Sequence, residues 1–328
     1  MALLLRDALL PNLVQTLEGD PAFVHCGPFA NIAHGNSSII ADSLALSCSD
    51  YVVTEAGFGA DMGAEKALHI KSLASGKTPD CVVINVTVRS MKLHGGGFST
   101  GGGKRPPKEE LESENVDATR KGAGSNLRRH VRNISMTGLP VIVSINKFST
   151  DTDAEIKAIS DEAKLAGAKD VVIFEGHAGG GLGAGELADA VVNACKRHDE
   201  SGRPYSPIID PGMSVKETIL KIATNVYGAH NVDFSPQALD SFETLKNWNL
   251  DKLPVCMAKT QYSFSHEASE LGAPTGFTLP IREIRINAGA GFLVAICGSM
   301  MTMPGLPKRP AAMDMDMDED GNLMGVFG

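Results

Sequence analysis

Short apolar runs rich in β-branched residues alternate with longer polar or amphipathic segments along the 328-residue chain. Parallel strands that are covered by helices on both faces have this continuous apolar character, so the alternation is typical of a βαβ chain. Strands are predicted at residues 81–88, 139–146, 170–174 and 254–258. Helices are predicted at residues 151–166, where acidic residues follow an Asp cap, and at residues 214–227. The sequence therefore predicts an α/β fold.

The formal net charge of −9 argues against nucleic acid and anionic membrane surfaces as partners, because both repel an acidic protein. No apolar run approaches the roughly 20 residues that a membrane-spanning helix needs. The opening segment has no basic region or cleavage site of a secretory signal, and the six cysteines form no CxxC pair. Reduced thiols of this kind are typical of the cytoplasm, so we expect a cytoplasmic protein without a disulfide framework or zinc site.

Glycine-rich stretches at residues 95–103, 179–185 and 289–291 each follow or adjoin an apolar strand-like run. Open α/β sheets bind ligands at the carboxyl ends of their strands, which makes these stretches candidate ligand loops. The stretch at 95–103 is equally consistent with a flexible surface insertion. His25 and His34 lie in an uncharged polar segment but lack the HxH or HxxxH spacing of metal ligands, so no metal site is predicted.

A glycine-rich turn with an aromatic residue at its centre follows the apolar residues at 51–53. A short strand is predicted to end at Thr54 and Glu55, and the loop with Gly57 and Gly59 then opens a helix. No Lys-Ser/Thr pair follows, so the loop is not a Walker A motif. Phe58 stands between the two turn glycines with little local core to enter, and we expect it to stack on a planar ligand.

Two further predicted strands lead into residues that are suited to a site. The strand at 139–146 is followed by Lys147 and Phe148, and the strand at 254–258 is followed by Lys259. The Asn-Lys pair at 146 and 147 is similar to the guanine-reading loop of GTPases, but that alternative fails because no Asp stands two residues after Lys147. The opening segment, residues 3–19, is apolar and helix-like.

Long, unusual strings occur in one order along the chain, namely LVQTLEG, PAFVHCGPFANIAHG, DYVVTEAGFGADMGAEK, PDCVVINVTVRSMKLHGGG, MAKTQYSFS and MTMPGLPKRPA. In this wording the chain resembles the formate–tetrahydrofolate ligase family from about residue 4 to residue 328. The resemblance implies a ligase of one-carbon metabolism. In the implied reaction, ATP with Mg²⁺ phosphorylates formate, and the formyl group of formyl phosphate passes to N10 of tetrahydrofolate.

The resemblance also implies a P-loop-NTPase-like, mostly parallel sheet and a C-terminal α/β domain. We expect residues 1–148 to form the second half of the nucleotide- and folate-binding domain and residues 149–328 the C-terminal domain. The 328 residues contain no GxxxxGK[ST], the motif of the family's phosphate-binding loop, and the resemblance places that loop before Met1. We therefore expect a chain that is inactive alone and acts in a homo-oligomer or with an N-terminal P-loop half. A non-catalytic folate-binding or regulatory subunit of a ligase oligomer is the alternative.

Individual site residues follow from the same resemblance. Phe58 and Phe148 match the family's folate-stacking aromatics, whereas His177 stands where the family has a tryptophan, which weakens stacking. The complete set of implied cofactor-binding residues is Glu55, Gly57, Phe58, Phe148, His177, Met303, Pro304, Gly305, Leu306 and Pro307. The candidate catalytic residues are Arg89, His94 and Lys259. Structural salt bridging, or shaping of the site, is the alternative for Arg89 and His94.

Overall fold

The computed structural model describes residues 3–100, 106–300, 302 and 308–325, and it has a mixed α/β fold, as predicted. The strands are β1 Asn12–Gln15, β2 Pro21–Val24, β3 Val82–Val86, β4 Val141–Asn146, β5 Asp170–Phe174, β6 Asn231–Phe234, β7 Val255–Ala258, β8 Thr278–Asn287, β9 Phe292–Cys297, β10 Asp316–Met317 and β11 Leu323–Met324. The α-helices are α1 Ile39–Cys48, α2 Gly63–Lys66, α3 Ser72–Ser75, α4 Val88–His94, α5 Lys108–Glu112, α6 Val116–Gly122, α7 Arg128–Ser135, α8 Asp153–Leu165, α9 Gly176–Gly179, α10 Gly185–Glu200, α11 Val215–Lys221 and α12 Pro236–Asn247. Three π-helical segments, Ala67–Lys71, Ala123–Leu127 and Ile222–Tyr227, extend helices, and 3₁₀ turns lie at Asp7–Leu9, Gly180–Ala184, Ala288–Ala290 and Ala311–Met313. In these described ranges no helix is both long and apolar enough to cross a bilayer.

A three-stranded parallel sheet with the order β3-β4-β5 organises the first part of the fold. The central strand β4 is buried at every residue except the last. Its side chains alternate between two cores, so that Ile142 packs towards Ala190 and Ala194 of α10 while Val143 and Ile145 join the core beneath α7 and α8. Because the three strands are parallel and in register, their carboxyl ends lie along one edge of the sheet.

A second sheet, with the order β6-β8-β9-β7, organises the C-terminal part. Strands β8 and β9 are antiparallel, whereas β6 pairs parallel to β8 and β7 pairs parallel to β9. One face packs against α11 and the π-helical segment after it, and the other face receives Ile70 from the segment Ala67–Lys71. The second sheet is therefore buried on both faces and packs against the N-terminal part of the chain.

The four predicted strands and both predicted helices are confirmed, with their ends moved by at most two residues in the strands. Helix α8 begins with a capping box in which Thr152 and Glu155 bond each other's backbone amides, and α11 begins with the equivalent pair, Ser214 and Glu217. The extension to residue 227 is π-helical. The predicted boundary near residue 148 stays a prediction, and β5, which follows it, pairs with β4, which precedes it.

Two expectations from the sequence are wrong. The opening segment is not helical beyond the turn Asp7–Leu9, because Pro11 cannot continue a helix and Gly19, with φ +93°, makes the turn of the β1–β2 hairpin. The predicted strand that ends at Glu55 is not formed either. Residues 51–55 make no ladder in the described structure, where the only pairing nearby is an isolated bridge between Asn36 and Ala56. A strand needs a neighbour for its backbone groups, and an apolar run cannot reveal whether one is present.

Helices α4 and α6 cross with their backbones in contact. A Cβ atom on Gly95 would lie 1.9 Å from the carbonyl oxygen of Ala118, and one on Gly122 would lie 2.0 Å from that of Met91. Helix α4 is also joined to α8 by a buried ion pair, in which Lys92 Nζ lies 2.8 Å from Glu155 Oε1. These contacts fix the position of α4 beside the sheet edge.

We expect Gly122→Ala to destabilise the protein although alanine is the better helix former. The backbone of Gly122 is right-handed helical, with φ −66° and ψ −44°, so helix propensity alone favours alanine by about 1 kcal/mol. The added methyl group would collide with the Met91 carbonyl and force the two helices apart. Overpacking of this kind lowers the free energy of unfolding by about 1–3 kcal/mol. The expected net result is a lower urea midpoint with an unchanged m-value.

The matched control is Gly185→Ala in the first turn of α10. Gly185 is also right-handed helical, and no atom outside its chain neighbours and its own helix backbone lies within 4 Å of its Cβ position, so this variant should be as stable as the wild type or more stable. Equal midpoints for both alanine variants would contradict the close α4–α6 contact.

Candidate functional site

The carboxyl edge of the β3-β4-β5 sheet brings together two of the residues that were predicted from the sequence. Arg89 lies in the first turn of α4, directly after β3, and Phe148 lies two residues after β4. The guanidinium carbon of Arg89 is 4.4 Å from the ring centroid of Phe148, a cation–π distance. The Phe148 side chain keeps 38% of its surface exposed, so a ligand can still reach the ring. This edge therefore offers an aromatic ring and a fixed positive charge side by side.

The loop after β4 is held by a carboxylate that the sequence analysis did not single out. Asp151 Oδ2 accepts a 2.8 Å hydrogen bond from the Phe148 amide, and the Asp151 amide donates to the Phe148 carbonyl over 3.0 Å. Burial raises the pKa of Asp151 above its ordinary value, although the Phe148 amide and Arg89 oppose this effect. The signal in the sequence was an Asp three residues after the aromatic residue, a spacing at which its carboxylate can accept a hydrogen bond from the earlier backbone amide.

The end of β5 is tied to the same edge but holds His177 apart from the other aromatics. Lys147 Nζ lies 3.2 Å from Glu175 Oε1, and the Lys147 amide donates to the Phe174 carbonyl over 3.1 Å. His177 is exposed on the short helix α9. Among the described residues no ring contact joins it to Phe58 or Phe148. The structure therefore places His177 on the same sheet edge without bringing it into contact with either phenylalanine.

Phe58 occupies a loop whose backbone is held by the segment 29–36. Phe58 has φ +62°, a left-handed conformation that is uncommon for a bulky residue, and its side chain is 41% exposed. The Gly57 amide donates to the Gly35 carbonyl over 2.9 Å, and the Glu55 carbonyl accepts from the Asn36 side chain. The ring of Phe29 meets Phe58 edge-on at 5.8 Å. Backbone outliers of this kind cluster at ligand sites, which supports the expectation that Phe58 contacts a ligand.

Lys259 lies inside the protein, opposite a carboxylate from the Phe58 loop. Its Nζ is 2.8 Å from Asp61 Oδ2, and the two side chains are 0% and 8% exposed. Burial alone would raise the pKa of Asp61, but Lys259 and, more weakly, His130 outweigh burial and hold it below its ordinary value. Asp61 and His130 were missed in the sequence, because neither lies near Lys259 along the chain. A catalytic role of Lys259 stays a prediction.

His94 ends α4 and contacts the C-terminal part of the chain. Its Nδ1 accepts a 3.2 Å hydrogen bond from the Gly272 amide. Burial and the charge of nearby His130 lower the pKa of His94 to about 4, against the opposing effect of Asp61. The ring is therefore neutral at pH 7. The hydrogen bond supports a structural role, in which His94 connects the end of α4 to the C-terminal part of the chain. A catalytic role for His94 stays a prediction.

The remaining predicted residues, Met303, Pro304, Gly305, Leu306 and Pro307, lie outside the described residues. The single GK[ST] triplet of the sequence, at 76–78, follows the end of α3, where Gly76 is the left-handed cap. It lacks the strand-to-helix setting of a phosphate-binding loop. Within residues 3–100, 106–300, 302 and 308–325, no group of three His, Cys, Asp or Glu side chains could hold a metal ion.

An exposed aromatic ring beside a cationic side chain, at the carboxyl edge of a parallel sheet, is typical of α/β proteins that bind nucleotides or cofactors. The family model for formate–tetrahydrofolate ligase matches residues 1–327, and the chain belongs to this family. A curated formate–tetrahydrofolate ligase from Paracoccus denitrificans (strain Pd 1222) is 50% identical over 327 residues, which make up 100% of this chain and 56% of that protein. The family predicted from the sequence strings is thereby confirmed, and the chain spans a little over half the length of this relative.

We expect His94→Asn to reduce the loss of stability on acidification. The unfolded histidine takes up a proton near pH 6.5, whereas the folded one stays neutral down to about pH 4, so the unfolded state binds more protons in this window. Stability therefore falls as the pH drops, by about 2 kcal/mol between pH 7 and pH 5 for this group. Asparagine retains an oxygen for the Gly272 amide but does not titrate.

The measurement is urea unfolding of the wild type and His94→Asn at pH 7 and pH 5. The variant should lose about 2 kcal/mol less than the wild type over this interval. The matched substitution His177→Asn, at an exposed position, controls for the removal of one histidine. Equal losses in the wild type and His94→Asn would show that His94 is not held neutral.

Proposed function

We propose that this chain carries the folate-binding part of a formate–tetrahydrofolate ligase. In the proposed reaction the γ-phosphoryl group of ATP moves to a formate oxygen, N10 of tetrahydrofolate attacks the formyl carbon, and phosphate leaves. The observation that carries the proposal is the placement of Phe58 and Phe148. Both rings are partly exposed in loops fixed by backbone hydrogen bonds, although phenylalanines are ordinarily buried.

The chemistry of these side chains suits the two halves of the reaction. A pterin is flat and polarisable, and an aromatic side chain can hold it by stacking against its face. Arg89 lies over Phe148, and its Nε is buried without a hydrogen-bond partner among the described residues. A guanidinium group suits the oxygens of an acyl phosphate, because it can donate two parallel hydrogen bonds. We assign Phe58 and Phe148 to the pterin and Arg89 to the phosphate of the intermediate.

The triphosphate cradle is assigned to residues outside this chain. The 328 residues lack GxxxxGK[ST], and the matched relative is longer by nearly half of its own length. We propose that a P-loop segment, on the same polypeptide or on a partner in a homo-oligomer, binds ATP with Mg²⁺, and that the loop at 303–307 faces the nucleotide. The acidic, CxxC-free composition supports a cytoplasmic setting. The alternative of a regulatory subunit rests on His177 alone and is not favoured by the family match.

The test is titration calorimetry of the chain with tetrahydrofolate. We expect the wild type to bind, and Phe58→Ala and Phe148→Ala each to weaken binding by about 1–3 kcal/mol, which corresponds to about 5- to 150-fold. Trp248→Ala is the matched control, since Trp248 is an exposed aromatic side chain at the end of α12, away from the sheet edge. Absence of binding by the wild type, or equal binding by all variants, would refute the assignment.

A second measurement addresses the reaction itself. The chain is mixed with ATP, Mg²⁺, formate and tetrahydrofolate, with and without a separately produced P-loop segment of the family. We expect 10-formyltetrahydrofolate only when both polypeptides are present. Turnover by the chain alone would contradict the assignment of the phosphate cradle to other residues.

A further inference from the structure

The ion pair of Asp61 and Lys259 joins the Phe58 loop to the second sheet. Asp61 lies three residues after Phe58, and Lys259 directly follows β7. The ammonium and carboxylate groups are 2.8 Å apart with almost no solvent exposure. One end of the pair is thus fixed in a buried strand end, and the other belongs to the loop that carries an exposed aromatic ring.

Lys259 has no hydrogen left for a ligand. An ammonium group has three donors, and Nζ of Lys259 donates to Asp61, to the Thr260 carbonyl over 3.0 Å and to the Ser263 carbonyl. The ring of Tyr227 lies 5.0 Å from the same atom. Because every donor is used within the protein, Lys259 acts on a ligand only through the residues that it holds.

The carboxylate of Asp61 packs against the backbone of the Phe58 loop at Gly59. Its Oδ1 lies 2.6 Å from the position that a Cβ atom on Gly59 would take, and Cε1 of His130 lies 3.4 Å from that position. The backbone next to Phe58 therefore lies directly on the carboxylate and the imidazole, with no room for a side chain. The carboxylate of Asp61 is thus in close contact with the residue that follows Phe58.

We propose that Asp61 and Lys259 are positioning residues that hold Phe58 in its left-handed conformation and aim its ring at the planar ring of the substrate. A left-handed conformation persists at a bulky residue only when its surroundings enforce it, and the ion pair supplies that enforcement. The orientation of the Phe58 ring towards a pterin rests on the proposed function, whereas the restraint of the loop by the ion pair does not.

The key variant replaces the pair by apolar residues, Asp61→Leu with Lys259→Met. Replacing both partners of a buried pair is tolerated far better than removing one, because no uncompensated charge remains. Hydrogen exchange of the peptide covering residues 57–63 is the first measurement. Exchange should accelerate about tenfold or more while the peptides of β4 keep their protection.

The matched control is a second buried lysine–carboxylate pair, Lys92 and Glu155, whose Nζ–Oε1 distance is also 2.8 Å. Lys92→Met with Glu155→Leu removes the same charges at a place that does not support the Phe58 loop. It should leave exchange at residues 57–63 unchanged. Unchanged exchange in the Asp61/Lys259 variant, or equal acceleration in both double variants, overturns the proposal.

Titration with tetrahydrofolate then tests whether the ion pair contributes to ligand binding by positioning Phe58. The Asp61/Lys259 double variant should bind about as weakly as Phe58→Ala, and adding Phe58→Ala to it should cause no further loss, since the pair acts through that ring. If the fold-loss of affinity in the double variant multiplies with that of Phe58→Ala, the ion pair does not act on the ligand through Phe58. If the wild type binds no tetrahydrofolate, the proposed function fails, while the exchange measurement still decides whether the pair holds the loop.

Discussion

The backbone of β4 depends on a neighbour on each side, and most of the described architecture follows from that requirement. A strand buried on both faces has no water for its amide and carbonyl groups, so β3 and β5 must supply the ladder along its length. The ladder fixes the register of the three strands and therefore the point at which each one ends. Arg89, Phe148 and His177 share an edge for this reason, although 88 residues separate the first from the last in the sequence.

Buried lysines connect segments that lie far apart in the sequence. Lys92 and Lys259 each neutralise a buried carboxylate, and Lys66 donates to the carbonyls of Ala30 and Asn31. Each of these ammonium groups is inside the protein and is matched by oxygen atoms from a distant segment, as a buried charge requires. The lysines thereby fix loops and helices that carry few apolar residues of their own, including the loop around Phe58.

The sequence predicted the features that depend on local patterns. Runs such as those at 141–146 and 170–174 are strands because β-branched residues suit a buried ladder, and Thr152 with Glu155 starts a helix by a local exchange of hydrogen bonds. The sequence did not predict what depends on distant partners. Residues 51–55 look like a strand but find no ladder, and Lys259 looks like a strand-end cation although its carboxylate lies about 200 residues earlier. His130 was missed for the same reason, since it lies against Gly59 and Asp61, about 70 residues earlier. Asp151 differs, because its partner Phe148 is only three residues away and the local spacing could have revealed it.

The crossing of α4 and α6 limits how this protein can vary over evolutionary time. Most helix contacts tolerate substitutions because side chains change rotamer, but at Gly95 and Gly122 there is only backbone on either side. A replacement there must move one backbone away from the other, and Arg89 lies on one of the two helices concerned. The distance between Arg89 and the Phe148 ring thus depends on two glycines, Gly95 and Gly122, although no side chain of theirs contacts that ring. Variation in the family should therefore spare this crossing as strictly as it spares the site itself.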